Sequence, residues 1–250
     1  MNHASKLSVL KAGVGLAVLL CLPSPGHAQV CLRSAASYTV LAGSAITNTG
    51  PTTITGDVGV SPGTAITGLP VSQPKDGTVH MGDAVAAQAQ ADLVTAYGFL
   101  AAMPCSVTMT GVDLGGKTLA PGVYCFATSA ALTGILSLDA NGDSSAVFVF
   151  QIGSTLTSAG GASVVLAHGA QSRHVWWQVG SSATLGIASA MQGNVLAHTS
   201  ITLTTGASVA GKVLAAGGAV TMDSNSLAGA AGGVSPTIRS TWGGLKARYR

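Results

Sequence analysis

Two short stretches of this sequence recur 18 residues further along the chain. Asn194-Val-Leu-Ala-His198 returns as Lys212-Val-Leu-Ala-Ala216, and Ala183-Thr-Leu185 returns as Ile201-Thr-Leu203 at the same interval. A period of roughly 18 to 20 residues, with short strands and glycine turns, is typical of a β-solenoid, in which each coil stacks on its neighbour. A β-sandwich is the alternative, but its turns would not repeat in sequence. The repeat therefore favours a mainly β chain wound as a solenoid.

The composition describes the surface of that solenoid. Only 8% of the residues are charged, glutamate is absent, and there are 34 glycines, whereas about a quarter of the residues in an ordinary soluble domain are charged. Ser, Thr, Ala and Gly must therefore cover the exterior. Such a surface is not that of a disordered chain or of an ordinary charged enzyme, and it has no basic patch for nucleic acid.

The two ends of the chain differ from the middle. Lys6 and Lys11 precede the apolar run 12–22, and small residues follow up to Ala28, so residues 1–28 are predicted to be a signal peptide cleaved near Ala28. The protein is then secreted, extracellular or periplasmic, and the later sequence has no apolar run long enough to span a membrane. Residues 29–228 are predicted to form the solenoid domain. Residues 229–250 form a Gly-rich and then basic tail, predicted to be flexible, which could contact an anionic cell envelope weakly.

A single long helix is predicted at residues 82–103. Asp83 is a good N-cap, and Pro104 ends the segment. The predicted apolar stripe comprises Val85, Ala89, Leu93, Ala96, Tyr97 and Leu100, and the polar face comprises Gln88, Gln90, Asp92 and Thr95. About 20 helical residues span about 30 Å, close to the height of six stacked strands. The helix is thus expected to lie along the stack.

Cysteine, histidine and aspartate limit the chemistry. Without the leader three cysteines remain, and Cys105 and Cys125 flank a segment, 106–124, suited to closure by a disulfide. Cys31 is then the odd thiol, although a pairing of Cys31 with either of the others stays open. The histidines are scattered, so no metal or cofactor is predicted. Glycoside hydrolysis needs a pair of carboxylates, and the chain has no glutamate and only eight aspartates, so it is predicted not to be an enzyme.

Several blocks, in order from about Ser37 to Leu227, resemble the microbial secreted ice-binding (antifreeze-like) protein family. The blocks are LAGSAITNTGPTTITGDVGVSPG (41–63), GDAVAAQAQAD (82–92), LAPGVYCF (119–126) and VFVFQIGS (147–154). The resemblance implies a right-handed, discontinuous β-solenoid of triangular cross-section, with one long α-helix packed alongside. It also implies that the first and last segments are neighbours, and that one flat face binds ice. Some family members carry a Thr-Ala/Gly-x-Thr/Asn pattern on that face, which Thr49-Gly-Pro-Thr52 matches and Thr205-Gly-Ala-Ser208 matches except at its last residue.

Elementary geometry explains why threonine suits such a face. Stacked coils place equivalent side chains about 4.8 Å apart, and alternate residues along a strand lie about 6.6 Å apart, a grid comparable with spacings on ice. The stiff χ1 of threonine fixes both its hydroxyl and its methyl. The chain is therefore predicted to adsorb to an ice crystal, as a monomer rather than an oligomer, and to inhibit ice growth or recrystallisation. The candidate ice-binding residues are Thr49, Thr52, Thr184, Thr202, Thr205 and Ser208.

A cell-surface or matrix adhesin that binds glycans is the alternative function. Trp176 and Trp177 are adjacent aromatic residues that could stack on a sugar. Adjacent strand residues point to opposite faces, however, so at least one of the two is expected in the core. Exposed aromatics on one face would favour glycans, and a flat Thr/Ser/Ala face would favour ice.

Overall fold

The structure, a computed structural model, describes residues 30–70 and 73–229. The predicted signal peptide and residues 230–250 of the predicted tail lie outside the described residues. The described part contains the α-helix α1 (Ala84–Ala101) and two short 3-10 helices, η1 (Arg33–Ala36) and η2 (Ser172–His174). In chain order its strands are β1 (Tyr38–Ala42), β2 (Ala45–Thr49), β3 (Thr53–Thr55), β4 (Asp57–Val60), β5 (Ala65–Thr67), β6 (Val79–Met81), β7 (Val107–Thr108), β8 (Thr118–Leu119), β9 (Gly122–Phe126), β10 (Ala130–Leu132), β11 (Ile135–Asp139), β12 (Phe148–Ile152), β13 (Leu156–Ser158), β14 (Ser163–Ala167), β15 (Val175–Val179), β16 (Ala183–Leu185), β17 (Ala190–Gln192), β18 (Asn194–Ala197), β19 (Ile201–Leu203), β20 (Ser208–Ala210), β21 (Val213–Ala215), β22 (Val220–Asp223) and β23 (Ser226–Ala228).

These strands form three parallel sheets. Sheet A has the order β6-β4-β1-β21-β18-β15-β12-β9-β7, sheet B the order β10-β13-β16-β19-β22-β2-β5, and sheet C the order β3-β23-β20-β17-β14-β11-β8. Each complete coil contributes one strand to each sheet and then climbs to the next coil. The predicted β-solenoid with one helix is confirmed.

The sequence repeat corresponds to one coil. Ala183 is paired with Ile201 and Thr184 with Thr202 in sheet B, while Val195 is paired with Val213 in sheet A. Residues one repeat apart are therefore stacked directly on each other. Other coils are longer, so the repeat is confined to this part of the stack.

The order of coils in space differs from their order in the chain. The first coil, β1–β3, pairs with the last coil, β21–β23, through β1·β21, β2·β22 and β23·β3. The chain then continues outward through β4, β5 and β6, and α1 connects β6 at one edge of sheet A with β7 at the other. The expected proximity of the first and last segments is confirmed. We call the contact between β1–β3 and β21–β23 the seam.

Apolar residues fill the space between the three sheets. Ile46, Ile54 and Val58 are fully buried, whereas Ile66 in the outermost coil is only half-buried. Further along the stack, the rings of Phe150 and Trp177 are parallel, with centroids 4.0 Å apart. The interior is thus continuous across the seam.

Helix α1 packs on the outer face of sheet A. Asp83 is the N-cap, and its carboxylate accepts a hydrogen bond of 2.8 Å from the backbone N–H of Ala86. Ala89, Leu93, Ala96 and Leu100 bury the face that contacts the sheet, as predicted.

Two details of the predicted helix stripe are wrong. Val85 is 52% exposed, because it lies at the edge of the helix face that meets the sheet. Gln90 and Asp92, predicted to be on the polar face, are buried. The Gln90 side chain donates to the Ala215 carbonyl, and Asp92 accepts from both the N–H and the hydroxyl of Ser34 in η1. Polar side chains are tolerated there because each has a hydrogen-bond partner.

The predicted disulfide between Cys105 and Cys125 is present. It joins the segment after α1 to β9, the first strand of the long run of coils. Cys31 is not the odd thiol expected from a count that leaves out the leader, since none of the described cysteines is free.

Candidate functional site

The three sheets present very different outer faces. Sheet A is covered by α1, under which Trp176, Leu196 and Leu214 are buried. Sheet C is exposed but chemically mixed, with Ile135 and Val165 projecting from its strands. Sheet B is exposed and nearly uniform. It is therefore the face whose repeated chemistry needs an explanation.

A continuous row of threonines runs down the middle of sheet B. The strand registers align one outward residue from each of the seven coils, a row that we call the central rank: Ala131, Thr157, Thr184, Thr202, Thr221, Thr47 and Thr67. All six threonine side chains are at least partly exposed, and none of their hydroxyls hydrogen-bonds to another group in the described part of the chain. Each hydroxyl is thus available to water as both donor and acceptor.

Buried neighbours on both sides hold five of the six central-rank threonines in place, all except Thr67 in the outermost coil. Thr202 lies between Ile201 and Leu203, and both of these point into the core; Thr221 is held in the same way by Val220 and Met222. Because side chains alternate along a strand, burying both neighbours forces the threonine outward. Its β-branched side chain then has few rotamers available. The rank is consequently ordered in position as well as in composition.

A second row lies two residues earlier in the chain, at or just before the start of each strand. We call it the flanking rank, and it consists of Ser129, Thr155, Ser182, Ser200, Ala219, Ala45 and Ala65. The Thr155 hydroxyl donates to that of Ser129 at 2.8 Å. The row is hydroxyl-bearing over four coils and methyl-bearing over the other three. The two ranks together make a grid of about 4.8 Å by about 6.6 Å.

Charge is nearly absent from this surface. Among the seven strands of sheet B, the single charged residue is Asp223, at the end of β22. The described residues contain no group of His, Cys, Asp or Glu arranged to hold a metal ion. They also contain no helix that is long and apolar enough to cross a membrane. The arrangement offers a flat array of small hydroxyls and methyls, with the chemistry of a surface rather than of a pocket.

Comparison with known proteins identifies the family. The family model described as "Ice-binding-like" matches residues 40–228. The chain belongs to this family. Over 200 residues it is 53% identical to an ice-binding protein of Nostoc sp. (strain HG1), a match that covers 80% of this chain and 74% of the relative. It is 31% identical over 211 residues to the ice-binding protein of Flavobacterium frigoris (strain PS1), covering 79% of this chain and 75% of the relative.

Solved structures agree with this assignment. A crystal structure of an ice-binding protein from an Antarctic biological consortium has a TM-score of 0.78 and 46% identity, covering 84% of this chain and 95% of that one. An ice-binding protein from the Antarctic ascomycete Antarctomyces psychrotrophicus has a TM-score of 0.77 and 40% identity, covering 80% and 98% of the two chains. The β-solenoid architecture is therefore common to this chain and to other ice-binding proteins.

The six residues predicted as the site are not all on one surface. Thr184 and Thr202 are neighbours in the central rank. Thr49 is exposed at the end of β2 on the same sheet, and Thr205 is exposed just after β19, at the corner between sheets B and C. Ser208 begins β20 and lies on sheet C.

Thr52 has a structural position. Its side chain is 2% exposed, and its hydroxyl accepts a hydrogen bond of 3.0 Å from the backbone N–H of Asn225. A threonine of the family pattern is here part of the seam, so we leave Thr52 out of the candidate surface.

Four central-rank threonines are missing from the sequence-based site: Thr47, Thr67, Thr157 and Thr221. Thr184, Thr202 and Thr221 follow one another at intervals of 18 and 19 residues, within the repeat, whereas 27 residues separate Thr157 from Thr184. A fixed period therefore does not reach Thr157, and Thr47 is stacked on Thr221 only through the seam. The local signal that all four share is an aliphatic residue directly before the threonine: Ile46, Ile66, Leu156 and Val220.

The aromatic residues give no support to the adhesin alternative. Trp177 is fully buried in the core, and Trp176 is buried beneath α1. The expectation that at least one is core is confirmed, and in fact neither is available for stacking on a sugar.

Proposed function

We propose that the protein is secreted and binds ice through the outer face of sheet B, acting as a monomer without catalysis and slowing the growth or recrystallisation of ice crystals. The observation that carries this proposal is the central rank, six threonines in strict register with free hydroxyls. Membership of the ice-binding family supports the activity. The predicted leader at residues 1–28 supports secretion.

Physical chemistry supports the choice of this face. Adsorption to ice requires that many weak contacts form at once, because a single water-mediated hydrogen bond contributes little. A rigid array achieves this without ordering flexible side chains, since threonine loses little rotamer freedom when it binds. Charged side chains would hold water too strongly and in other geometries, and the central and flanking ranks have none.

The experiment compares matched tyrosine substitutions on two sheets. Thr202→Tyr places a bulky ring in the middle of the central rank, and Thr53→Tyr places the same ring at an exposed threonine of sheet C. We expect Thr202→Tyr to lose most of the freezing-point hysteresis and recrystallisation inhibition of the wild-type protein. We expect Thr53→Tyr to keep both activities. Circular dichroism checks that both variants fold.

Two results would contradict the proposal. If the wild-type protein leaves ice growth unaltered at saturating concentration, it does not bind ice. If Thr53→Tyr loses activity while Thr202→Tyr keeps it, the contact surface is sheet C.

A further inference from the structure

A third row of side chains borders sheet B at the seam. It spans the two coils of the seam and the coil that precedes β21. Asp223 at the end of β22 is in register with Thr49 of β2, and Thr205 reaches it from the coil on the other side. We call Thr205, Asp223 and Thr49 the edge rank. A carboxylate is unexpected in this position, because the rest of the sheet is neutral.

Hydroxyl groups surround the Asp223 carboxylate. The Thr205 hydroxyl donates to Oδ2 at 2.5 Å, and the Ser224 hydroxyl donates to Oδ1 at 3.1 Å. The Thr49 hydroxyl donates to the Met222 carbonyl at 3.3 Å and also lies within hydrogen-bonding reach of this carboxylate. The carboxylate therefore has hydroxyl groups beside it from the coils on both sides.

The backbone at Asp223 is held as firmly as its side chain. Its N–H donates to the Asn225 side-chain oxygen at 2.6 Å. Asn225 is buried and donates in turn to the carbonyls of Thr204 and Ala207, at 2.8 and 3.1 Å. Asp223 is consequently fixed to the coil that carries Thr205.

The hydrogen bonds at Asp223 determine whether the edge-rank hydroxyls can donate to water or only accept from it. Each hydroxyl has one proton and two lone pairs, so a hydroxyl that donates to Asp223 can only accept from water. Its rotamer is fixed too, which also fixes the direction of its methyl group. The central rank differs, since its hydroxyls remain free to donate or accept.

We propose that Asp223 is a positioning residue of the ice-contacting surface. It orients the hydroxyls of Thr205 and Thr49, so that the surface extends by a third ordered rank across the three coils at the seam. This inference rests on the proposed function of sheet B. It also explains why a negative charge is present on an otherwise neutral sheet, because hydroxyl groups of the protein already donate hydrogen bonds to the carboxylate.

The protonation state of Asp223 supports the geometry. Hydrogen bonds from Thr205 first, and then from Ser224 and Thr49, hold the pKa of this carboxyl below its usual value. No Lys, Arg or His in the described part of the chain forms an ion pair with it. The carboxylate is thus ionised at neutral pH. Orientation of the edge rank is present above the usual carboxyl pKa and is lost as pH falls through the lowered value, because a protonated carboxyl must itself donate.

The test uses Asp223→Asn, which keeps the size of the side chain but removes one acceptor and the charge. We expect hysteresis at pH 7 to fall by about a fifth, in proportion to the three edge-rank residues among the seventeen of the three ranks. We expect wild-type activity to fall as the pH drops below the usual carboxyl pKa, while Asp223→Asn shows no such step. Thermal unfolding at each pH verifies that the proteins stay folded.

Asp139→Asn is the matched control. Asp139 also ends a strand and also has a lowered carboxyl pKa, held chiefly by the Asn141 N–H and by His168, but it lies on sheet C. We expect this variant to keep full activity at pH 7 and to keep the acid step.

Thr205→Val and Thr49→Val give a second approach in case Asp223→Asn folds poorly, because each keeps the shape of threonine and removes only the hydroxyl. Both are expected to lose part of the activity. If Asp223→Asn and both valine variants match the wild type in activity and pH profile, Asp223 positions nothing. That result, together with an inactive Thr202→Tyr, would leave sheet B as the ice-binding face and remove the edge rank alone.

Discussion

At the scale of single residues, Lys212 is a charged side chain that the fold buries. Its side chain is 8% exposed, and its ammonium donates to the carbonyls of Ala36 and, at 2.9 Å, of Tyr38. The lysine thereby ties η1 and β1 to the last coil. Burial lowers the pKa of Lys212 to about 8, although the nearby Asp57 opposes this shift.

This buried lysine predicts an unusual pH dependence. The unfolded chain holds the lysine proton up to its ordinary pKa of 10.5, whereas the folded chain releases it near 8. Unfolding therefore takes up a proton between these values, so the free energy of unfolding should rise by about 3 kcal/mol from pH 8 to 10.5. Burial raises the pKa of Tyr38 to about 12, so stability should fall again between pH 10 and 12. Urea unfolding across this pH range measures both the rise and the fall in the free energy of unfolding.

Lys212→Met separates the rise in stability from the fall. The variant should lose the rise above pH 8 and keep the fall above pH 10. A wild-type curve that is flat or descending from pH 8 to 10 would show that the protonated lysine has no cost in this site.

At the scale of elements, side chains from sheet A anchor the end of α1. Gln151 donates to the carbonyls of Leu100 and Met103, at 2.7 and 2.8 Å. One coil further along, Gln178 donates to the Tyr97 hydroxyl, which in turn donates to the Val179 carbonyl. The last carbonyls of a helix lack the usual intrahelical partner, and these contacts supply donors there; the Leu100 carbonyl also accepts from the Met103 N–H.

Gln151→Leu should loosen the end of the helix. The change removes the side-chain donor to both carbonyls, and we expect a loss of about 1 to 3 kcal/mol in the free energy of unfolding, with faster hydrogen exchange near residues 98–103. Gln88→Leu, on the exposed side of α1, is the control and should change neither quantity appreciably. Equal effects of the two substitutions would show that Gln151 is not an anchor.

The helix also shows which parts of a fold are local enough to predict from sequence. Its cap at Asp83 and its end before Pro104 depend on neighbouring residues, and both are predicted correctly. The burial of Asp92 depends on Ser34, which is 58 residues away, and no helical period contains that information. The threonines of the site also differ in whether local sequence information predicts them. Thr184 and Thr202 follow a regular repeat, whereas Thr157 is separated from them by a longer coil.

At the scale of the whole molecule, the seam divides the proposed ice-binding face into two parts. Thr157, Thr184, Thr202 and Thr221 lie on one side, and Thr47 and Thr67 lie on the other. Hydrogen bonds and packing hold the two parts of the sheet together there, including the bond from the Asn225 N–H to Thr52 and one of 2.9 Å from the Thr53 N–H to the Asn225 carbonyl. The continuity of the central rank depends on these contacts.

Thr52→Val tests that dependence. It removes the acceptor for the Asn225 N–H, so we expect a loss of about 1 to 3 kcal/mol in the free energy of unfolding, and amide exchange should quicken in β2, β3, β22 and β23 together. Thr55→Val, at an exposed threonine of the adjacent strand β3, is the control. Faster exchange on only one side of the seam would mean that the two parts open independently.

The same arrangement sets the timing of assembly in a newly made chain. β1–β3 are synthesised early, but the strands on which they stack are among the last described residues, with 173 positions between Thr52 and Asn225. Contacts over such distances form slowly, because a long loop must close before they stabilise anything. The early coils must therefore wait with an open strand edge until the end of the chain is available. The face proposed to meet ice is thus completed only after β22 and β23 have been made.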